Sequence, residues 1–330
     1  MRGKSSDNFS GPPTRPTPGD AARERLAPQL LFEASRNAVQ TLTLSQGPWR
    51  AEVVPERGGR MTRLSFDGAE VLEPVVDWTP LGRAWPAAGL YPLVPYSNRI
   101  EHGRLSVGGR AVQLAIHPFA APHAVHGPGH RRAWSVAART PHEVRLHLAY
   151  APDDDWPWAF ESTLTYALHD DAVLCTIDLA NRSAEAMPAG LGLHPFFHAP
   201  NGTRYSLAHR DRWPQTEADA PLPQFSEQAR RIDDDVSQDG LIACLGRWDG
   251  AATIARPDLT IGMEASSNLA HLIVYRAAGS AFLCLEPVSH ATNAFNHHGA
   301  GRPHSGATFL GPGERMEGRM VLRCATPRPS

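Results

Sequence analysis

The stretch Glu161-Ser-Thr-Leu-Thr-Tyr-Ala-Leu-His-Asp-Asp-Ala-Val-Leu-Cys-Thr-Ile-Asp-Leu179 decides the fold class of this 330-residue chain. Its second half carries an apolar residue at every second position: Val173, Cys175, Ile177 and Leu179. A period of two is the side-chain period of a β-strand with one buried face. The polar run His169-Asp170-Asp171 divides the stretch. We therefore predict two antiparallel strands joined by a short turn.

The same alternation continues on both sides of this hairpin. Upstream, Val144, Leu146 and Leu148 alternate with polar residues. Downstream, the turn pair Pro257-Asp258 separates two more short runs. Further candidate strands are His271–Tyr275, Ala281–Glu286 and Arg315–Leu322.

Helical periodicity is missing from the same part of the sequence. No segment after residue 40 shows ten or more residues with a period of 3.6, and the chain contains 30 prolines and 28 glycines. We predict an all-β protein, a large antiparallel β-sandwich that occupies residues 37–330 as a single domain. Residues 1–36 are rich in Pro, Gly, Ser and Arg, and we predict a disordered tail there.

Composition excludes several classes of partner. Lys plus Arg total 32 against 34 for Asp plus Glu, so the chain lacks the excess of basic residues that is typical of nucleic-acid-binding proteins. No apolar run approaches the ~20 residues of a membrane helix, and the first residues lack the apolar run of a signal peptide. The four cysteines show no metal-binding spacing. We expect a cytoplasmic protein without nucleic-acid or membrane partners.

Two clusters of polar residues interrupt apolar or proline-rich sequence in the first half of the chain. Asn98 and Arg99 end the run Tyr91–Ile100, where the Arg99 fork could bind two hydroxyls or a carboxylate, or could hold a loop carboxylate structurally. His126 lies in the run His123–His130. Prolines and glycines exclude the helix that a single metal would need at this histidine spacing, so we expect no metal.

Two further clusters offer an acid and a base. His194 follows Gly192-Leu193 and precedes Pro195-Phe-Phe, an apolar setting that disfavours the charged imidazole and suits a proton donor, or equally a core histidine. Glu286 ends an apolar strand without a nearby basic residue in the sequence. Burial would raise the pKa of its carboxyl group toward that of a general base, unless a buried partner gives it a structural role.

These four clusters, in this order, resemble the aldose 1-epimerase (mutarotase) superfamily. The matching motifs are Asn98-Arg99-Ile100, His126-Gly127, Gly192-Leu-His-Pro-Phe-Phe197 and Leu285-Glu286-Pro287, and the similarity extends over roughly residues 40–324. The resemblance implies a galactose-mutarotase-like supersandwich with a sugar in an open cleft. It also implies interconversion of the α and β anomers of an aldose without a metal or an organic cofactor.

The resemblance implies a role for each matching residue. His194 would protonate the ring oxygen, and Glu286 would take the proton of the anomeric hydroxyl. Asn98, Arg99 and His126 would bind sugar hydroxyls, and Asp233 is the candidate for an aspartate that does the same in well-known members. The sequence departs from those members at Pro195-Phe-Phe and at Pro287, which leaves the identity of the sugar open.

Two alternatives use the same scaffold. A hexose-6-phosphate 1-epimerase would need additional arginines at the phosphate, for which Arg83, Arg104 and Arg131 are candidates. A non-catalytic sugar-binding or regulatory protein would be expected to lack His194 or Glu286. In each case the partner is a monosaccharide, free or phosphorylated, bound by a monomer or a homodimer.

Overall fold

Two large antiparallel sheets dominate a computed structural model that describes residues 40–78, 85–214, 224–236, 239–297 and 303–327. The predicted tail, residues 1–36, lies outside the described residues. From Gln40 onward the chain groups into one compact unit.

The strands of the described residues are short and follow one another closely along the chain. The first twelve are β1 (Leu42–Gln46), β2 (Trp49–Val54), β3 (Arg60–Phe66), β4 (Ala69–Glu70), β5 (Leu90–Leu93), β6 (Arg99–Ile100), β7 (Arg104–Val107), β8 (Arg110–Gln113), β9 (Ala124–Val125), β10 (Ser135–Arg139), β11 (Glu143–Tyr150) and β12 (Phe160–Leu168). The others are β13 (Val173–Asn181), β14 (Met187–Ala189), β15 (Gly192–His198), β16 (Arg204–His209), β17 (Asp211–Trp213), β18 (Arg230–Asp235), β19 (Leu241–Gly246), β20 (Ala251–Ala255), β21 (Thr260–Ala265), β22 (His271–Arg276), β23 (Phe282–Val288), β24 (Thr308–Leu310) and β25 (Arg315–Ala325). Helical structure is limited to α1 (Ala294–His297) and the 3-10 turns Pro55–Arg57, Glu101–Gly103, Pro118–Ala120 and Pro128–Arg131 in this part of the chain.

The strands form two sheets of ten and nine strands. The first has the order β1-β2-β3-β5-β15-β23-β22-β19-β17, with β4 beside β3, and the second has the order β10-β11-β12-β13-β25-β21-β20-β16-β18. The small pairs are β14-β24, β6-β9 and β7-β8. The predicted all-β antiparallel sandwich is confirmed.

The hairpin quoted first is β12 and β13 in the structure. Leu164 pairs with Ile177, and both are fully buried. The predicted turn at Pro257-Asp258 also joins two paired strands, β20 and β21. Alternation in the sequence therefore becomes alternation in burial, which fixes the register because a slip by one residue would expose the whole apolar face.

The two faces of the ten-stranded sheet have different environments. On β15, Leu193 and Phe197 pack into the main core, which includes residues of both sheets. Their neighbour Phe196 belongs to a second, smaller apolar cluster, as does Cys284 on the adjacent strand β23. One face of this sheet thus contributes to the main core between the two sheets, and the other face carries the second apolar cluster.

Among the described residues, no helix has the length and apolar character that crossing a membrane would require.

Candidate active site

A row of four side chains crosses the centre of the ten-stranded sheet. Tyr91 on β5 pairs with His194 on β15, and Glu286 on β23 pairs with Ile273 on β22. The register between β15 and β23 places His194 opposite Glu286. Residues 92 positions apart in the sequence therefore become neighbours through strand pairing alone.

His194 and Glu286 face each other at hydrogen-bond distance. The His194 Nε2 and Glu286 Oε1 atoms are 3.2 Å apart, and the two residues are only 5% and 2% exposed. The His194 ring lies between two aromatic rings, Phe196 at 4.5 Å and Tyr91 at 4.5 Å between ring centroids. Burial raises the pKa of Glu286 well above its usual value, because a carboxylate loses its hydration there.

The second carboxylate oxygen of Glu286 differs from the first in its contacts. Its Oε2 atom is buried and has no hydrogen-bond partner among the residues that the structure describes. Glu286 also lines an open pocket above the sheet. An acceptor in such a place can take a proton from a hydroxyl group that enters the pocket.

Asn98, Arg99 and His126 form a polar wall of the same pocket. The short strands β6 and β9 pair Arg99 with Val125 and so bring two loops together. The backbone N–H group of Asn98 donates to His126 Nδ1 at 3.1 Å, and the backbone N–H group of His126 donates to the backbone carbonyl of Asn98 at 2.9 Å. Both residues have left-handed backbones, with φ of 56° and 48°, a conformation found at functional sites more often than elsewhere.

These contacts define the protonation of His126. Burial, reinforced by the positive charge of Arg99, lowers the pKa of His126 to about 3, so the ring is neutral at physiological pH. Because Nδ1 accepts the Asn98 N–H, the ring proton resides on Nε2. His126 can therefore donate a hydrogen bond to a ligand without carrying charge.

The loop that follows β23 supports this wall from behind. His290 donates from Nδ1 to the Ala291 carbonyl at 2.8 Å and accepts from the Ser97 N–H at Nε2, at 3.2 Å. The Asn293 N–H group donates to the Arg99 carbonyl at 3.0 Å. The segment that carries Asn98 and Arg99 is thus held by the segment that follows Glu286.

The pocket is open to solvent, and its empty space, open mouth included, is about 600 Å³. Its polar groups converge from one wall and from the sheet, and the other sides are aromatic or aliphatic. The lining residues are Trp85, Tyr91, Asn98, Arg99, Phe119, Val125, His126, His194, Phe196, Ile242, Ile273, Tyr275 and Glu286.

The structure brings together most of the residues selected from the sequence. Asn98, Arg99, His126, His194 and Glu286 all line this pocket.

Asp233 lies elsewhere and does not line the pocket. It belongs to β18, at the edge of the nine-stranded sheet, where its side chain is 71% exposed and accepts a hydrogen bond from Arg204 at 3.2 Å. The local sequence Ile-Asp-Asp could not reveal this, because the partner of β18 is set by sheet topology. Asp233 has no part in the function proposed below.

Sequence reasoning missed the aromatic and aliphatic side chains that shape the site, above all Trp85, Tyr91 and Ile273. Tyr91 opens the run that ends in Asn98 and Arg99, but its contact with His194 depends on the register of β5 and β15. No local pattern encodes a pairing between residues so far apart in the sequence.

One group of buried residues beside the pocket contains the atom types that bind metals. His194, Cys284 and Glu286 place one such atom each within 4.8 Å of one another. Two of these atoms, His194 Nε2 and Glu286 Oε1, are 3.2 Å apart, a distance at which an imidazole and a carboxylate can share a proton.

Comparison with known proteins identifies similar sequences. The family model for aldose 1-epimerase matches residues 40–323. The uncharacterized protein YphB of Escherichia coli K12 is 28% identical over 272 residues, which cover 75% of this chain and 89% of YphB. The uncharacterized protein YihR of the same organism is 25% identical over 277 residues, 78% of this chain and 86% of YihR.

Solved structures share the fold. A protein of Escherichia coli K12 provisionally described as an aldose 1-epimerase superposes with a TM-score of 0.73 at 23% identity, covering 87% of this chain and 99% of that one. The galactose 1-epimerase of Lactobacillus acidophilus NCFM superposes with a TM-score of 0.67 at 13% identity, covering 87% and 95%. At these identities the likeness concerns the fold.

Proposed function

The chain belongs to the aldose 1-epimerase family, and we propose that it interconverts the α and β anomers of a monosaccharide by acid–base ring opening and reclosure. The observation that carries the proposal is the direct opposition of His194 Nε2 and Glu286 Oε1, 3.2 Å apart at the base of an open pocket. The reaction needs one proton removed and one added at two oxygens that share the anomeric carbon. A facing acid and base meet that requirement.

In the proposed reaction, Glu286 accepts the proton of the anomeric hydroxyl while protonated His194 donates its proton to the ring oxygen. The bond between C1 and the ring oxygen breaks, and its electron pair remains on that oxygen as a hydroxyl forms. The C1–O1 bond becomes the carbonyl of an open-chain aldehyde. Rotation about C1–C2 exposes the other carbonyl face, and the reverse proton transfers close the ring as the opposite anomer.

The environment of the pair suits these transfers. Burial raises the pKa of Glu286, which makes its carboxylate a stronger base than an exposed glutamate. In the reactive form the His194 imidazole holds the proton that is donated, and the Glu286 carboxylate is ionised. We expect kcat/KM to fall at acidic pH with an apparent pKa above 4.5, the ordinary value of the carboxyl group, since protonation of Glu286 removes the base.

Binding is assigned to the wall that faces the pair. Asn98 and Arg99 offer hydrogen-bond donors to sugar hydroxyls, and neutral His126 donates from Nε2. Trp85 and Phe196 offer flat apolar surfaces to the C–H face of a sugar ring.

A free aldose fits the charge of the pocket better than a sugar phosphate. Arg99 is the only arginine that lines the pocket among the described residues. Arg131 forms an ion pair with Asp155 at 3.3 Å, Arg104 is exposed on β7, and Arg83 lies outside the described residues. The non-catalytic alternative would not need the facing acid and base, and both are present.

Exchange between anomeric protons, measured by saturation-transfer NMR over a panel of aldoses and aldose phosphates, tests the proposal. We expect accelerated exchange for at least one sugar, and a loss of at least 100-fold in His194→Gln and in Glu286→Gln, because a positioned acid or base contributes about 10²- to 10⁴-fold. Activity should survive dialysis against EDTA, since the acid and base act without a metal.

His198→Gln is the matched control, because His198 lies on the same strand as His194 but pairs with Glu73 outside the pocket. It should retain wild-type exchange. Exchange that persists in both pocket variants would contradict the assignment of acid and base. Binding of a sugar without acceleration would favour the non-catalytic alternative.

A further inference from the structure

A buried arginine lies next to Tyr91 on the side away from His194. Met61 on β3 pairs with Leu90 on β5, which places Arg60 directly opposite Tyr91. Arg60 is 1% exposed, and its Nη1 group donates to the carbonyls of Ala88 at 2.6 Å and Pro86 at 3.2 Å. The row across the sheet therefore begins with Arg60 and continues through Tyr91, His194 and Glu286 to Ile273.

This cation lacks the partner that a buried charge usually has. No ion pair of the described residues includes Arg60, and its Nε atom has no hydrogen-bond partner among them. Burial lowers the pKa of Arg60 to about 10, so the group stays charged at neutral pH. Burying a charge without a carboxylate costs free energy, and such a residue suggests a functional reason for its position.

The guanidinium group contacts the ring of Tyr91. Its Cζ atom lies 4.3 Å from the ring centroid, a close cation–π contact. The same ring is 4.5 Å from the His194 ring, inclined at 32°. Because β3 and β15 flank β5, Arg60 and His194 hold the Tyr91 ring from two sides.

We propose that Arg60 is a positioning residue: through Tyr91 it fixes the orientation of the His194 ring, and its charge makes protonated His194 a stronger acid. The catalytic consequence rests on the proposed function, whereas the effect on the His194 proton does not. A fixed cation disfavours a second positive charge nearby, so His194 releases its proton more readily to the ring oxygen.

The distances give the size of the effect. The two centroid distances place the guanidinium and the imidazole at most about 9 Å apart. With an effective dielectric constant of about 20, a unit charge at that separation changes a pKa by about one unit.

Other groups around His194 act in different ways. Four residues lie close to its ring: Glu286 and Cys284 on β23, Tyr91 on β5 and the neutral His126 in the loop after β9. Arg99 lines the same pocket. Glu286 favours the charged imidazole, and Arg99 disfavours it. Arg99 is assigned to the substrate, so its contribution is measured with its own variant, Arg99→Met.

The test is a titration of His194 by NMR in the full chain labelled at histidine, with His194 identified by its loss in His194→Gln. In Arg60→Met we expect the pKa of His194 to rise by about one unit, since the side chain keeps its length and loses its charge. The alkaline limb of kcat/KM should move to higher pH by the same amount. Arg60→Lys, which keeps the charge, should restore both.

Arg276→Met is the matched control, because Arg276 is also a buried arginine of this sheet, 2% exposed on β22, and does not line the pocket. It should leave the His194 titration unchanged. A folded Arg60→Met protein whose His194 pKa is that of the wild type would overturn the electrostatic part of the proposal. Absence of sugar turnover in the wild type would count against the proposed function and leave the His194 titration valid.

A pair of variants at Tyr91 tests the positioning part even if Arg60→Met does not fold. Tyr91→Phe keeps the ring between Arg60 and His194, and Tyr91→Leu removes it. We expect kcat to be at least tenfold lower in Tyr91→Leu than in Tyr91→Phe, with little difference in KM between the two variants. Equal kcat in the two variants would overturn the positioning role of the ring.

Discussion

Glu286 shows how one residue can serve the proposed reaction at the expense of stability. The residue is 2% exposed, and burial raises the pKa of its carboxyl group well above 4.5. Between pH 4.5 and the raised pKa, the folded protein holds a proton that the unfolded chain has released. Stability from this group is therefore present below pH 4.5 and is lost as the pH rises through the folded-state pKa.

Glu286→Gln should reverse this cost. Glutamine has no charge to desolvate, so the variant should be more stable than the wild type at neutral pH by about 1.4 kcal/mol for each unit by which the pKa is raised. Chemical denaturation at a series of pH values measures the difference, which should shrink toward pH 4. A stability difference that does not vary with pH would contradict the raised pKa.

The loops after β5 and β9 act as one element in holding His126. The Gly127 N–H group donates to the Tyr96 carbonyl at 2.9 Å, and a Cβ atom at Gly127 would lie 2.0 Å from the Val94 carbonyl oxygen. Only glycine permits this close approach of two backbones. The position of His126 at the pocket thus depends on a neighbour that carries no chemistry.

Gly127→Ala should separate the two loops. We expect a loss of about 1–3 kcal/mol in the free energy of unfolding, as for other overpacked sites, and a higher KM because His126 moves. Gly262→Ala on β21 is the control, since its nearest contact would be 3.9 Å away, and it should change stability by less than about 0.5 kcal/mol. A wild-type KM in Gly127→Ala would show that this contact does not position His126.

Across the whole molecule, buried neutral histidines govern the response to acid. Burial lowers the pKa of His126 to about 3, of His271 and His290 to about 4, and of His130 well below 6.5. Each of them gains a proton on unfolding when the pH is below 6.5 but above its folded-state pKa. Their contribution to stability is present above pH 6.5 and is lost as the pH falls toward the folded-state values.

We therefore expect cooperative acid unfolding that begins near pH 6, with each buried histidine adding up to about 1.4 kcal/mol per pH unit to the slope. His130→Phe tests this, because His130 packs against Trp85 and Tyr91 and its ring nitrogens lack hydrogen-bond partners among the described residues. In this variant the slope of the free energy of unfolding against pH should be smaller by the contribution of one proton, about 1.4 kcal/mol per pH unit. His102→Gln, a substitution at an exposed position, should leave this slope unchanged. Equal slopes in the wild type and in His130→Phe would contradict the low pKa of His130.

The sequence by itself was sufficient for the fold class and for the chemical character of the site. Alternation around Ile177 and Leu164 predicts buried strands because side chains of a strand point to opposite faces, a local property. A carboxyl group within an apolar run, such as Glu286, predicts a raised pKa because its sequence neighbours indicate burial.

Tertiary structure alone decided which residues meet. Arg60, Tyr91, His194 and Glu286 form one row only because β3, β5, β15 and β23 pair in a particular register. Asp233 is kept from the pocket because β18 joins the other sheet. Strand pairing is set by the burial of a common core over long sequence separations, so the distance between two side chains on different strands is not encoded in the residues around either of them.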